Sequence, residues 1–263
     1  MGGRAMTNET TIEKLREMRL SAFASSLQEQ LSDSSFHSLS FEERLGILVD
    51  VEWSNRKNNR LHRLIRNADF DQSQASVAGI DYRPARKLNK AEILRLASCQ
   101  YIDDHHNIII MGATGAGKSY IACALGVAAC QKFLPVKYIR LPDLLVELAI
   151  ARNEGSYKKL INHYKKVRLL ILDEWMLVSL TESEARDVLE IIHARHHRAS
   201  TIFCSQFAPA GWHAKIGEAT IAEAILDRIV HDSYTIEIHS DPKDPSMRET
   251  YGINKPQTVS GSL

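Results

Sequence analysis

The segment from Asn107 to Tyr120 constrains this chain more than any other. Asn107-Ile-Ile-Ile-Met111 is a short apolar strand, and it runs into Gly112-Ala-Thr-Gly-Ala-Gly-Lys-Ser119, which fits the pattern G-x-x-x-x-G-K-[ST]. A helix is expected from Lys118 to about Lys132. Glycines at this spacing let the backbone curl until its N–H groups point inward at phosphate oxygens. The helix that starts at the loop adds its positive end. Gly112, Ala113, Thr114, Gly115, Ala116 and Gly117 then form the cradle, and Tyr120 opens the helix beside it. Lys118 reaches the β- and γ-phosphates of a nucleotide, and the Ser119 hydroxyl ligates Mg²⁺. A strand before the loop and an apolar helix after it are what this mechanism requires.

The second half of such a site is Arg168-Leu-Leu-Ile-Leu-Asp-Glu174, which lies with Asp173 55 residues beyond Lys118. Four apolar residues make a buried strand, and Asp173 sits at its carboxyl end, where ligands bind in parallel sheets. Asp173 is therefore expected to hold Mg²⁺ and Glu174 to polarise an attacking water. Further strands are expected at Val136–Arg140, Thr201–Cys204 and Tyr234–Ile238, with helices at Pro142–Arg152, Ser183–His197 and Ala219–Val230 between them. Strands alternating with helices predict an α/β fold with a mostly parallel five-stranded sheet covered on both faces.

The first 100 residues read differently. Ile12, Leu15, Met18, Phe23, Leu27 and Leu31 follow helical spacing. Ser40-Phe-Glu-Glu43 is a capping-box start for a long helix to about Asp69. Residues 71–90 read as a connector and 89–98 as one more helix. The expected organisation is an all-helical N-terminal domain with connector over 1–104, an α/β nucleotide-hydrolysing core over 105–240 and a flexible tail over 241–263.

With 44% apolar and 25% charged residues, the composition is that of a globular protein and excludes wholesale disorder. No apolar run spans a bilayer, no signal peptide opens the chain, and the four cysteines contain no Cys-x-x-Cys pair. Together these predict reduced thiols, a cytoplasmic location and no membrane partner. The formal net charge of +1 hides an uneven distribution: residues 53–95 carry +6, residues 152–168 carry +5 and residues 218–250 carry −5. Two basic islands in a nucleotide-binding protein point to nucleic acid. Arg56, Lys57, Arg60, Arg63 and Arg66 fall on the long helix, where 56, 60 and 63 share a face. Contacts of this kind neutralise backbone phosphates of double-stranded DNA without reading bases. His193, His196 and His197 have spacing that suits a metal, but no third-ligand pattern lies nearby in the sequence, and the expectation is against zinc.

An extra strand between the two halves of the phosphate site resembles the AAA+ ATPases rather than the Ras-like GTPases. Within them the chain resembles the IstB-type transposition helper ATPases of insertion sequences, relatives of the helicase loader DnaC. The resemblance is carried by Leu15-Arg-Glu-Met-Arg-Leu20, Ser40-Phe-Glu-Glu-Arg-Leu45, Glu52-Trp-Ser-Asn-Arg56, the phosphate loop, Leu170 to Glu174, Trp212 and Ala224 to Arg228. It implies an ATP-dependent, DNA-binding homo-oligomer, with ATP sites at subunit interfaces, that prepares target DNA and recruits or stimulates a partner transposase. A DnaC-like helicase loader is the alternative. The AAA+ resemblance also implies that Ser205 or Gln206 senses the γ-phosphate, that Arg228 acts on a neighbour's ATP, and that Lys158 and Lys159 line a DNA channel. Trp175 stands where a small residue is frequent. Only 24 residues follow His239, too few for the usual helical lid. The lid arginine is missing unless Arg248 replaces it, so a neighbouring subunit is expected to close the site.

Overall fold

The structure is a computed structural model that describes residues 2–239 and Met247. It divides into two compact units, residues 1–63 and 64–263.

The first unit is helical. α1 (Gly2–Glu17) and α2 (Ser21–Ser32) precede α3 (Phe41–Ala68), which continues into the second unit. The Ser40 box forms as read: the Glu43 amide donates to Ser40 Oγ at 3.3 Å, and the Ser40 amide donates to Glu43 Oε2 at 2.7 Å. Glu52 is buried on α3. Its Oε2 accepts from the Ala22 and Phe23 amides, both at 3.1 Å, satisfying donors that the first turn of α2 leaves unpaired. Its Oε1 binds Arg56 Nε at 2.7 Å, and Arg56 Nη2 reaches the Arg19 carbonyl at 2.9 Å. The Arg56 interaction holds the Glu52 carboxyl below its ordinary pKa. The Glu-Trp-x-x-Arg phrase is thus a clamp between α2 and α3. Arg56 stays more than half exposed while its Nε and Nη2 hold these two partners.

The second unit carries β1 (Asn107–Gly112), β2 (Val136–Arg140), β3 (Leu169–Asp173), β4 (Ser200–Ser205) and β5 (Ser233–Ile238). All pairings are parallel and the order is β2-β3-β4-β1-β5, so β4 separates the phosphate-loop strand from the Asp173 strand. The helices are α4 (Lys90–Ala97), α5 (Gln100–Asp103), α6 (Lys118–Gln131), α7 (Leu141–Asn153), α8 (Tyr157–Lys166), α9 (Glu182–Arg195), α10 (Pro209–Ile216) and α11 (Ala219–Val230). Ile121 through Cys130 of α6 are buried without exception. That explains the small residues there. A Cβ at Gly126 would lie 2.5 Å from the Phe70 ring and 2.9 Å from Ile171 Cδ1.

The stretch after Arg63 packs with the sheet. Asp69 pairs with Lys137 at 3.0 Å, and the Ser76 amide donates to the Tyr120 hydroxyl at 3.4 Å. The division between the two units falls inside α3. All four cysteines are free and buried. Burial pushes the Cys99 thiol up to about 11 and Cys123 and Cys130 up to about 12. Among the described residues, no helix is long and apolar enough to cross a membrane. The tail 241–263 and Arg248 lie outside the described residues, Met247 excepted.

Candidate nucleotide site

β1 ends in the phosphate loop and α6 starts from it, at the carboxyl edge of the sheet. Gly112 is required by close approach, since a Cβ there would lie 2.8 Å from the Ile238 carbonyl oxygen on β5. Gly117 has φ +90°, a left-handed conformation that disfavours side chains, and its Cβ would sit 3.0 Å from Arg86 Nη2. Lys118 Nζ donates to the Gly112 and Ala113 carbonyls, each at 2.8 Å. The ammonium is thereby poised inside the loop.

Above the loop lies a cavity of about 680 Å³, large enough for a nucleotide. Thr114, Gly115, Gly117, Lys118, Ser119 and Tyr120 line it, as do Asp173, Glu174 and Gln206. Asp173 is buried. Its Oδ2 accepts from the Tyr138 hydroxyl at 2.8 Å and its Oδ1 from the Glu174 amide at 2.8 Å. Burial and the Asp173 charge push the Tyr138 phenol up, so it stays a donor. Glu174 adopts φ 52°, a conformation costing a non-glycine residue about 1–3 kcal/mol. The Trp175 amide holds it there by donating to the Cys204 carbonyl at 2.8 Å. Arg140, at the end of β2, lies 3.9 Å from Glu174 Oε1 and is itself anchored on Asp143 at 2.7 Å.

Trp175 has a packing explanation. It is fully buried and meets Phe203 edge-on at 4.7 Å between ring centroids and Trp212 at 5.8 Å. This aromatic floor supports the turn that carries Glu174. Ser205 is buried and is not among the residues that line the cavity. Its Oγ donates to the Trp175 carbonyl at 3.0 Å and accepts from Trp212 Nε1 at 3.0 Å, so it binds the floor. Gln206, one residue further, is exposed and faces the cavity.

Arg86 and Met247 are among the lining residues missed in the sequence. Arg86 is buried behind the loop; its Nη2 donates to the Ala116 carbonyl at 2.5 Å and its Nη1 to the Asp81 carbonyl at 2.6 Å. Met247 donates its amide to the Gly115 carbonyl at 3.0 Å. Neither has a local motif, because each meets the loop only through the fold. Met247 does neighbour Arg248, the residue raised as a lid substitute.

Arg228 does not line this cavity. It lines a cleft of about 300 Å³ with Arg186, Leu189, Glu190, His193 and Ala224. Its Nη1 donates to the Ala224 carbonyl at 2.6 Å, and among the described residues it forms no salt bridge. Lys57, Arg60, Arg63 and Arg66 on α3 and Lys158 and Lys159 on α8 are exposed. Lys57 lies over the Trp53 ring at 4.6 Å.

The family model described as IstB-like ATP binding protein matches residues 13–250. An insertion sequence ATP-binding protein of Sinorhizobium fredii is 40% identical over 236 residues, 90% of this chain and 96% of its own. An ATP-binding protein of insertion sequence IS21 from Pseudomonas aeruginosa is 27% identical over 233 residues, 89% of this chain and 86% of its own. Among solved structures, DnaI gives a TM-score of 0.53 at 21% identity, covering 66% of this chain and 91% of DnaI. AMPPCP-bound DnaA from Aquifex aeolicus gives 0.54 at 19%, covering 66% of this chain and 52% of DnaA. The DnaC helicase loader gives 0.51 at 16%, covering 62% of this chain and 96% of DnaC. At these identities the structural likeness establishes the AAA+-like fold alone. With a phosphate loop, a buried aspartate at the end of β3 and a family match over nearly all its length, the chain belongs to the IstB-like ATP binding proteins of insertion sequences.

Proposed function

We propose that this protein hydrolyses ATP as a DNA-bound homo-oligomer that prepares target DNA and recruits or stimulates a partner transposase. The observation that carries the reading is the joint placement of Lys118, Ser119, Asp173 and Glu174 around one cavity in a chain of this family. Lys118 gives its ammonium to the terminal phosphates, and the loop amides bind the rest of the chain of phosphates. Ser119 and Asp173 offer hard oxygen donors on one cavity, a set that suits Mg²⁺. Bound there, the ion would offset charge on the phosphate oxygens. Glu174 takes a proton from the attacking water, and Gln206 orients the γ-phosphate side. Arg228 is separated from its own cavity, so it acts on the ATP of the next subunit. Lys57, Arg60, Arg63, Arg66, Lys158 and Lys159 meet DNA phosphates without reading sequence.

Sedimentation of the full chain with a random-sequence duplex of about 50 base pairs tests this; such a length accommodates several subunits on a 3.4 Å-per-base-pair lattice. A large DNA-bound species with ATP, absent with ADP or no nucleotide, is the expected result. A monomer indifferent to ATP and duplex overturns the reading. Glu174→Gln tests the water-activating step. It is expected to bind ATP and keep the assembled form while turnover falls about 10²–10⁴-fold, the usual worth of a general base. Unchanged turnover removes Glu174 from that role.

A further inference from the structure

The parallel sheet has two ends, and the nucleotide cavity uses only the carboxyl one. At the other end, the turn after α9 carries His196 and His197, and Asp232 follows α11 by two residues. Nδ1 of His196 and Nδ1 of His197 each lie 3.7 Å from the same oxygen, Asp232 Oδ2. One ligand atom from each of the three lies within 4.8 Å of the other two. The imidazole ring centroids lie 3.8 Å apart, with the ring planes tilted by 44°.

These separations are too long for direct hydrogen bonds and close to those around a cation. With metal–ligand bonds of 2.0–2.2 Å, tetrahedral ligand atoms stand about 3.4 Å apart. The two histidine–aspartate separations lie within a few tenths of an ångström of that value, and the three ligand atoms all fall within 4.8 Å of one another. The backbone that carries the groups is fixed. The His196 amide donates to the Ile192 carbonyl at 3.0 Å, and the Asn107 amide donates to the Asp232 carbonyl at 2.8 Å. Between α9 and β4, the buried Arg195 guanidinium ties the Tyr164, Val167 and Ser200 carbonyls together. His197 is 69% exposed, which leaves an approach from solvent.

We infer that His196, His197 and Asp232 form a binding site for a divalent cation of the Zn²⁺ class, with water in the remaining position. His193 is not part of it, since it lines the cleft beside Arg228. The third ligand comes from 35 residues further along the chain, which is why spacing around the histidines does not reveal it. Two imidazoles and one carboxylate suit Zn²⁺ and Co²⁺ and disfavour Mg²⁺, so the site stays distinct from the phosphate loop in a magnesium buffer. The bound ion staples the end of α9 to the end of α11, one turn beyond Arg228.

The test is titration of the full chain, free of any histidine tag and stripped with chelator, with Co²⁺ in the presence of Mg²⁺. One equivalent per chain, with the visible absorption of a four-coordinate ion and displacement by Zn²⁺, is expected. His197→Ala and Asp232→Asn should each weaken binding by at least about tenfold, while His193→Ala leaves it unchanged. Zn²⁺ at a hundred times the parent's Kd should raise the Tm of the parent protein by about 5–10 °C and that of Asp232→Asn by about half as much or less. Absence of saturable binding, or binding that survives both ligand substitutions, overturns the assignment. So does loss of binding in His193→Ala.

Discussion

Lys118→Ala is expected to bind ATP two to three orders of magnitude more weakly than the parent protein. The lysine ammonium is nearly buried and lies 2.8 Å from each of two loop carbonyls. It is therefore held where the cradle closes, before any phosphate arrives. Truncating one member of a desolvated charge pair costs about 2–5 kcal/mol, and each 1.4 kcal/mol is tenfold in Kd. The loop amides and the end of α6 remain, so residual binding is expected rather than none. The fold should survive, because the loop is partly exposed and water can replace the ammonium at the Gly112 and Ala113 carbonyls. Calorimetric titration with ATP, alongside thermal unfolding of the same sample, checks both halves. Normal affinity in a folded variant removes the site from the phosphate loop.

Much of the fold could be read from residue patterns, for reasons that differ by element. The inner strands β1, β3 and β4 are short, largely apolar runs because the sheet is covered on both faces, whereas the edge strands β2 and β5 mix apolar residues with Lys137 and Glu237. The Ser40 box and the phosphate loop are local motifs whose partners lie within a few residues. α10 was missed: Gly211 interrupts a helix of only eight residues whose reason for forming is the burial of Trp212 and Ile216. α8 gives little local signal because its lysines dominate, although Ile161 and Tyr164 bury one side of it.

The site divides the same way. Asp173 and Glu174 follow from the end of an apolar strand. Ser205 against Gln206 could not be decided, because successive residues at the end of a strand face opposite ways and the sequence does not give the register. Arg86 and Asp232 are contacts made across 30 or more residues, and no spacing rule contains them. Arg56 adds a role that the basic helix face does not announce: it also holds the buried Glu52 carboxylate.

Arg228→Ala should keep ATP affinity and lose about 10³-fold or more in turnover, the measured range for arginine fingers. Within one chain the side chain is turned back on the Ala224 carbonyl and lies outside the cavity that holds Lys118, so its own ATP is not its target. A role between subunits makes a prediction that a structural role does not. Glu174→Gln subunits bind ATP, join the assembly and carry an intact Arg228, but cannot hydrolyse. Mixed in equal parts with Arg228→Ala subunits, they should restore activity at the interfaces where an intact arginine faces an intact glutamate. In a head-to-tail assembly with random mixing that is about one quarter of the interfaces. Steady-state ATPase on DNA, measured across mixing ratios, should rise and fall with a maximum near equal parts. A flat profile at the level of the separate variants would mean that Arg228 supports its own helix and does not reach a neighbour's phosphate.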